Sequence, residues 1–104
     1  MHKRRIYQHQ STDPRRYARV EWLILDLQLG ISSVRRADDC LDLETVRRTR
    51  LRAAATLRSA DVLLAQLQVE PSQARRIAEQ QQRLGALLRD PAPIERLARI
   101  LRVA

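Results

Sequence analysis

From Tyr17 to Val34 the apolar residues recur at steps of three and four: Tyr17, Val20, Leu23, Ile24, Leu27, Ile31 and Val34. That spacing marks one face of an α-helix. A period of two holds locally in the stretch LDLQL, but it fails at Trp22-Leu23-Ile24-Leu25, so a strand does not account for the whole segment. Asp13-Pro14 supplies a start signal, an N-cap residue followed by Pro at the first helical position. A first helix is therefore predicted over about 14–37. Ala18, Trp22, Leu25 and Leu29 form a second apolar strip on its far side, with Arg19, Asp26 and Ser33 in one gap and Glu21, Gln28 and Ser32 in the other. A helix that is apolar front and back has to be covered twice. The first face predicts bundle neighbours; Trp22, Leu25 and Leu29 are candidates for an oligomer or partner interface.

The same spacing defines three further helices. Asp42 is a candidate N-cap, and Glu44 sits well in the first turn of a second helix predicted over about 43–68. Its core stripe is Leu43, Val46, Ala53, Leu57, Ala60, Leu64 and Leu67, with a weaker strip at Leu51, Val62 and Val69. Pro71 breaks the chain. A third helix over about 72–89 is predicted to face inward through Ala74, Ile77, Ala78, Leu84 and Leu88, with Gln81 in the stripe as a polar contact. Asp90, a capping residue before Pro91, precedes a short fourth helix over about 92–102, with Ile94, Leu97, Ala98 and Leu101 as its apolar face. The expectation is an all-α fold, an antiparallel bundle of three to four helices spanning residues 13–104. Residues 1–12 lack an apolar period and carry Lys3-Arg4-Arg5, which predicts a flexible basic arm.

Composition agrees with this. The chain has 104 residues, two glycines, four prolines and no phenylalanine, so one modest aliphatic core is expected. The longest weakly charged stretch, WLILDLQLGISSV, contains Asp26 and is too short to span a bilayer. No signal peptide is read at the polar start, and Cys40 alone builds neither a disulfide framework nor a metal cluster. A cytoplasmic location, with no membrane association and no cofactor, is the expectation.

Little points to catalysis. His2 and His9 both fall in the arm. Arg4 and His9 make an R-x4-H pattern, which resembles the signature of HEPN ribonucleases, but here it precedes the bundle. Asp38, Asp39, Asp42 and Glu44 cluster around Cys40 without the glycine turn of a calcium loop, and capping accounts for them. No phosphate-cradling glycine loop, GxSxG or HExxH is present.

Charge is the informative property. The net charge is +8, with 20 basic residues against 12 acidic, and such an excess attracts polyanions. Arginine outnumbers lysine heavily; codon bias and the bidentate fit of guanidinium to phosphate both produce that ratio. Arg4, Arg5, Arg15 and Arg16 concentrate charge at the start. Arg47, Arg48, Arg50, Arg52 and Arg58 follow on the second helix, with no acid between residues 45 and 60. Arg75 and Arg76, by contrast, have Glu79 at helical pairing distance. The predicted site is thus Arg47, Arg48, Arg50, Arg52, Arg58, Arg4, Arg5, Arg15 and Arg16, contacting phosphates of DNA or RNA. Trp22 is read as buried, so base stacking is not expected, and no helix-turn-helix stands out. Binding is expected to be electrostatic and steeply salt-dependent.

Residues 16–20 (RYARV), Ala60-Asp61 with Leu64 and Leu67, Pro71-Ser72-Gln73, and Arg83-Leu84-Gly85 together resemble the accessory variability determinant proteins of diversity-generating retroelements and their intervening-sequence relatives. The resemblance covers about 70 residues in patches. It implies a basic four-helix bundle, pentameric assembly, nucleic-acid binding and a reverse transcriptase as partner. The chain departs from that family in its shortness and in having Leu88 where an aromatic is usual. The leading expectation is a non-enzymatic, homo-oligomeric nucleic-acid-binding accessory. The alternative is a protein-binding adaptor or secretion chaperone that docks through Trp22, Leu25 and Leu29.

Overall fold

The computed structural model describes residues 13–103. They form four helices: α1 (Pro14–Asp38), α2 (Leu43–Gln66), α3 (Pro71–Arg89) and α4 (Ala92–Val103). The predicted arm, with Arg4, Arg5 and the Arg4/His9 pattern, lies outside the described residues.

Local signals set the boundaries. The Asp13 carboxylate accepts from the backbone N–H of Arg15 at 2.9 Å, and Pro14 occupies the first turn. Asp42 accepts from the N–H of Glu44 at 3.2 Å and from the Thr45 hydroxyl at 2.6 Å. Asp90 accepts from the N–H of Ala92 at 3.0 Å. Each cap satisfies an N–H that the helix itself leaves without a partner. Pro71 opens α3 with no side-chain cap.

Direction follows from cross-helix contacts. Asp38 at the end of α1 meets Arg50 in the first half of α2. Arg16 near the start of α1 reaches Gln68, just beyond α2, at 3.4 Å. Glu21 in α1 meets Gln73 and Arg76 near the start of α3. Helices α1 and α3 therefore run in the same direction and α2 runs antiparallel to both, with α1 packed against each of the other two. The short α4 packs against α2. The architecture is an all-α bundle, as the periodicity predicts.

The core lies under the predicted face of α1. Val20, Leu23, Ile24, Leu27, Ile31 and Val34 are buried and pack with Ala53 and Ala60 of α2 and Ile77 and Leu84 of α3. Each fully buried aliphatic side chain of this size contributes roughly 1.5–3 kcal/mol. One stripe differs from expectation. In α3 the buried positions are Gln73, Ile77, Gln80 and Leu84, whereas Ala74 and Ala78 are exposed and Gln81 is half-buried. Ile77 and Leu84, seven residues apart, fix the inward line, and the glutamines fall on it. Gln73 is tolerated there because its amide donates to the Glu21 carboxylate at 2.8 Å. Gln81 does make a polar contact, donating to Asp61 at 2.8 Å.

Candidate nucleic-acid interface

The five arginines of α2 do not form one surface. The helix turns them onto different sides, and neighbouring elements treat each differently.

Arg50 is removed from the candidate set. It is 8% exposed, and its Nε and Nη2 donate to the two carboxylate oxygens of Asp38 at 3.0 and 2.8 Å. Its Nη1 lies 3.3 Å from the Asp90 carbonyl and 3.4 Å from that of Leu88. Position 50 sits between Val46 and Ala53 on the core stripe, so the helix points it inward. Burial there requires a paired guanidinium. Arg50 thus ties the ends of α1 and α3 to α2, and no ligand phosphate can reach it without displacing that pair.

Arg48 has a local acidic partner, contrary to the reading of α2's arginines as unpaired within their own helix, because Glu44 lies just before the acid-free stretch. Its Nη2 lies 2.8 Å from Glu44, one turn earlier. Both side chains are well exposed, so water screens this pair and it holds Arg48 weakly. Arg16 is half-buried and donates to Gln68. Arg15 is exposed.

Arg47, Arg52 and Arg58 are exposed and make no ion pair among the described residues. Arg47 borders a cleft of about 390 Å³ beside α4, which Leu88 and Ile94 also line. Arg52 faces the other way, into a groove of about 580 Å³ between α1 and α2. Two charges on opposite sides of α2 cannot track one strand of phosphates together.

The groove brings in residues that sequence spacing did not single out. Arg36 of α1 lines it with Arg52, and Ser33, Thr45 and Thr49 add hydroxyls. Gly30, Ala37 and Ala53 are the small residues of its walls, and Asp26 contributes an acidic side chain. The signal was present in part. Ser33 and Arg36 share one side of α1, as Thr45, Thr49 and Arg52 share one side of α2, but only the antiparallel pairing sets the two sides opposite each other.

Trp22 corrects a second expectation. It is not buried: it is 64% exposed, and Leu25 and Leu29 are 39% and 55% exposed. The bundle covers only one of the two apolar faces of α1. Trp22 precedes Asp26 by one turn and Leu29 by two, which continues the α1 wall of the groove beyond its end.

Helix α3 corrects a third. Arg76 does not pair with Glu79 but crosses to α1, making a two-point contact with Glu21 at 2.8 and 3.1 Å. The hydrogen bond from Gln73, followed by that from Arg76, holds the Glu21 carboxyl below the usual carboxylate range. The Thr45 hydroxyl lowers Asp42 in the same way.

Among the described residues no group of His, Cys, Asp and Glu is arranged to hold a metal ion, and no helix is long and apolar enough to cross a membrane. Cys40 is exposed at the groove's end. No family model, curated protein or solved structure matches the chain.

Proposed function

We propose that this protein is a non-enzymatic accessory that binds nucleic acid through its phosphate backbone. The observation that carries this reading is the exposure of Arg47, Arg52 and Arg58 without carboxylate partners among the described residues, on a chain of net charge +8. Exposed guanidinium groups that lack a carboxylate partner among the described residues keep a positive potential at the surface of α2, and an anionic ligand is attracted to it. Exposed Arg36 and Arg15 extend the positive field along α1. Arg50 contributes by fixing the helix ends, not by touching the ligand.

The test is binding of a labelled polynucleotide at low salt by the wild-type chain and by the Arg47→Glu/Arg52→Glu/Arg58→Glu variant. The positions are exposed, so helicity is expected to persist while affinity collapses. Undiminished binding by the variant rejects the reading.

The exposed strip Trp22, Leu25 and Leu29 supports a second reading, in which α1 docks a protein surface, either another copy or an adaptor's client. Partner binding that holds its strength as salt rises favours this reading; steep loss with salt favours the first. A polymerase partner, which the resemblance to retroelement accessory proteins implies, belongs to either reading.

A further inference from the structure

We infer that the α1–α2 groove receives a single-stranded polynucleotide, with Trp22 as the stacking platform for a base and Arg36 and Arg52 set against its phosphates. The inference rests on the phosphate-binding reading above and assigns it a strand type and a track.

Three observations meet in one place. The groove is lined by two guanidinium groups and by the Ser33 and Thr49 hydroxyls, which can donate to phosphate oxygens. Its volume, about 580 Å³, is that of a site for a few linked small groups. Trp22 stands 64% exposed on the line that continues the groove's α1 wall, and Arg19, one turn before it, is also exposed. A positively charged groove that ends in an open aromatic face is the arrangement that binds single strands, because every unpaired base has a face to stack. A duplex keeps those faces covered. Asp26 lies between Trp22 and the basic end, so the phosphates are expected to cross nearer Arg52 on the α2 side.

Trp22 is the only tryptophan in the chain, so its emission reports on this surface alone. The experiment titrates the full-length protein with an oligouridylate and with a duplex of equal length, following emission together with the anisotropy of end-labelled strands. Quenching by the single strand, and roughly 5- to 100-fold weaker binding in Trp22→Ala, are expected from the usual strength of base–aromatic stacking. Trp22→Phe should restore most of the loss, and Trp22→Leu, apolar but without a ring, should not. Arg36→Glu/Arg52→Glu should abolish both signals. Single strand and duplex binding alike, with unchanged emission and no effect of Trp22→Ala, overturns the inference and leaves phosphate binding intact. Failure of every polynucleotide to bind at low salt overturns both. Trp22 emission already blue-shifted in a stable oligomer, and indifferent to added strand, makes the strip a subunit interface and also overturns the inference.

Discussion

Arg50 and Asp38 close a two-point ion pair, and both side chains are about one-tenth exposed. The same guanidinium reaches carbonyls at the end of α3, so one residue of α2 joins three helices. Removing either partner strands a buried charge. Such losses typically cost about 3–5 kcal/mol, a large share of the stability of a domain this size. Arg50→Ala is therefore expected to lower the melting temperature by more than about 10 °C, whereas exposed Arg47→Ala should leave it within a few degrees. Thermal melts by circular dichroism compare the two. Equal effects would show that the buried pair contributes nothing particular to stability.

That pair also marks how far the fold was legible in the sequence. The helices were readable because apolar spacing agrees with the Asp13, Asp42 and Asp90 caps at the starts of α1, α2 and α4 and with Pro71 at the start of α3. Arg50 was not, although the stripe steps seven positions from Val46 to Ala53 and Arg50 stands at the helical position between them. A charge at a core position is readable only with its partner, and Asp38 belongs to another helix. The α3 stripe failed for a related reason: Ala74 and Ala78 fit an apolar pattern better than Gln73 and Gln80, but the packing of Ile77 and Leu84 decided the face. Of the candidate surface, the exposed arginines of α2 were visible in their spacing. The groove was not, since it exists only where two helices meet.

Gly30 and Gly85 lie inside helices, and neither has a positive φ. A Cβ on Gly30 would meet the Leu84 side chain at 3.4 Å, an ordinary contact. One on Gly85 would meet the end of Arg89 at 3.0 Å, and that exposed side chain can swing away. Alanine favours a helix interior over glycine by about 1 kcal/mol. Gly30→Ala and Gly85→Ala are each expected to raise stability by about 0.5–1 kcal/mol, measured by denaturant titration. Destabilisation by Gly30→Ala would mean that α1 and α3 are packed too closely to admit a methyl group.

The Glu21 carboxyl titrates below its ordinary range in the folded chain because Gln73 and Arg76 bond to its charged form. An unfolded chain regains the ordinary value and takes up the proton first as pH falls. The stabilisation is therefore fully present above the ordinary carboxylate range, near 4.5, and is lost as pH drops through the lower folded value. Asp42 acts in the same direction. Melting temperature should fall on acidification below about pH 4.5. In Glu21→Gln the decline should be shallower, so the two curves converge at low pH. A constant gap between them would mean that the carboxylate's charge is not what joins α1 to α3.

Salt dependence tests the surface arginines one at a time. Each phosphate neutralised releases condensed counterion, and the logarithm of affinity falls with the logarithm of salt by about 0.9 per contact on a duplex and about 0.7 on a single strand. Arg47, Arg52 and Arg58 carry no ion pair among the described residues, so none of those residues competes with a ligand for them. Arg47 and Arg52 lie beside different clefts, so one strand engages one of them and not both. If the strand follows the α1–α2 groove, Arg52→Ala and Arg36→Ala should each flatten the slope by about 0.7, and Arg47→Ala should leave it unchanged. The reverse pattern would put the strand on the α4 side of α2. Arg48→Ala should have a smaller effect than Arg52→Ala, because Glu44 already offsets part of its charge. Arg50→Lys is informative only through stability, since its guanidinium is spent on Asp38 and the end of α3. Affinity that ignores all of these arginines yet falls in Leu25→Ala would transfer the binding surface to the apolar strip of α1.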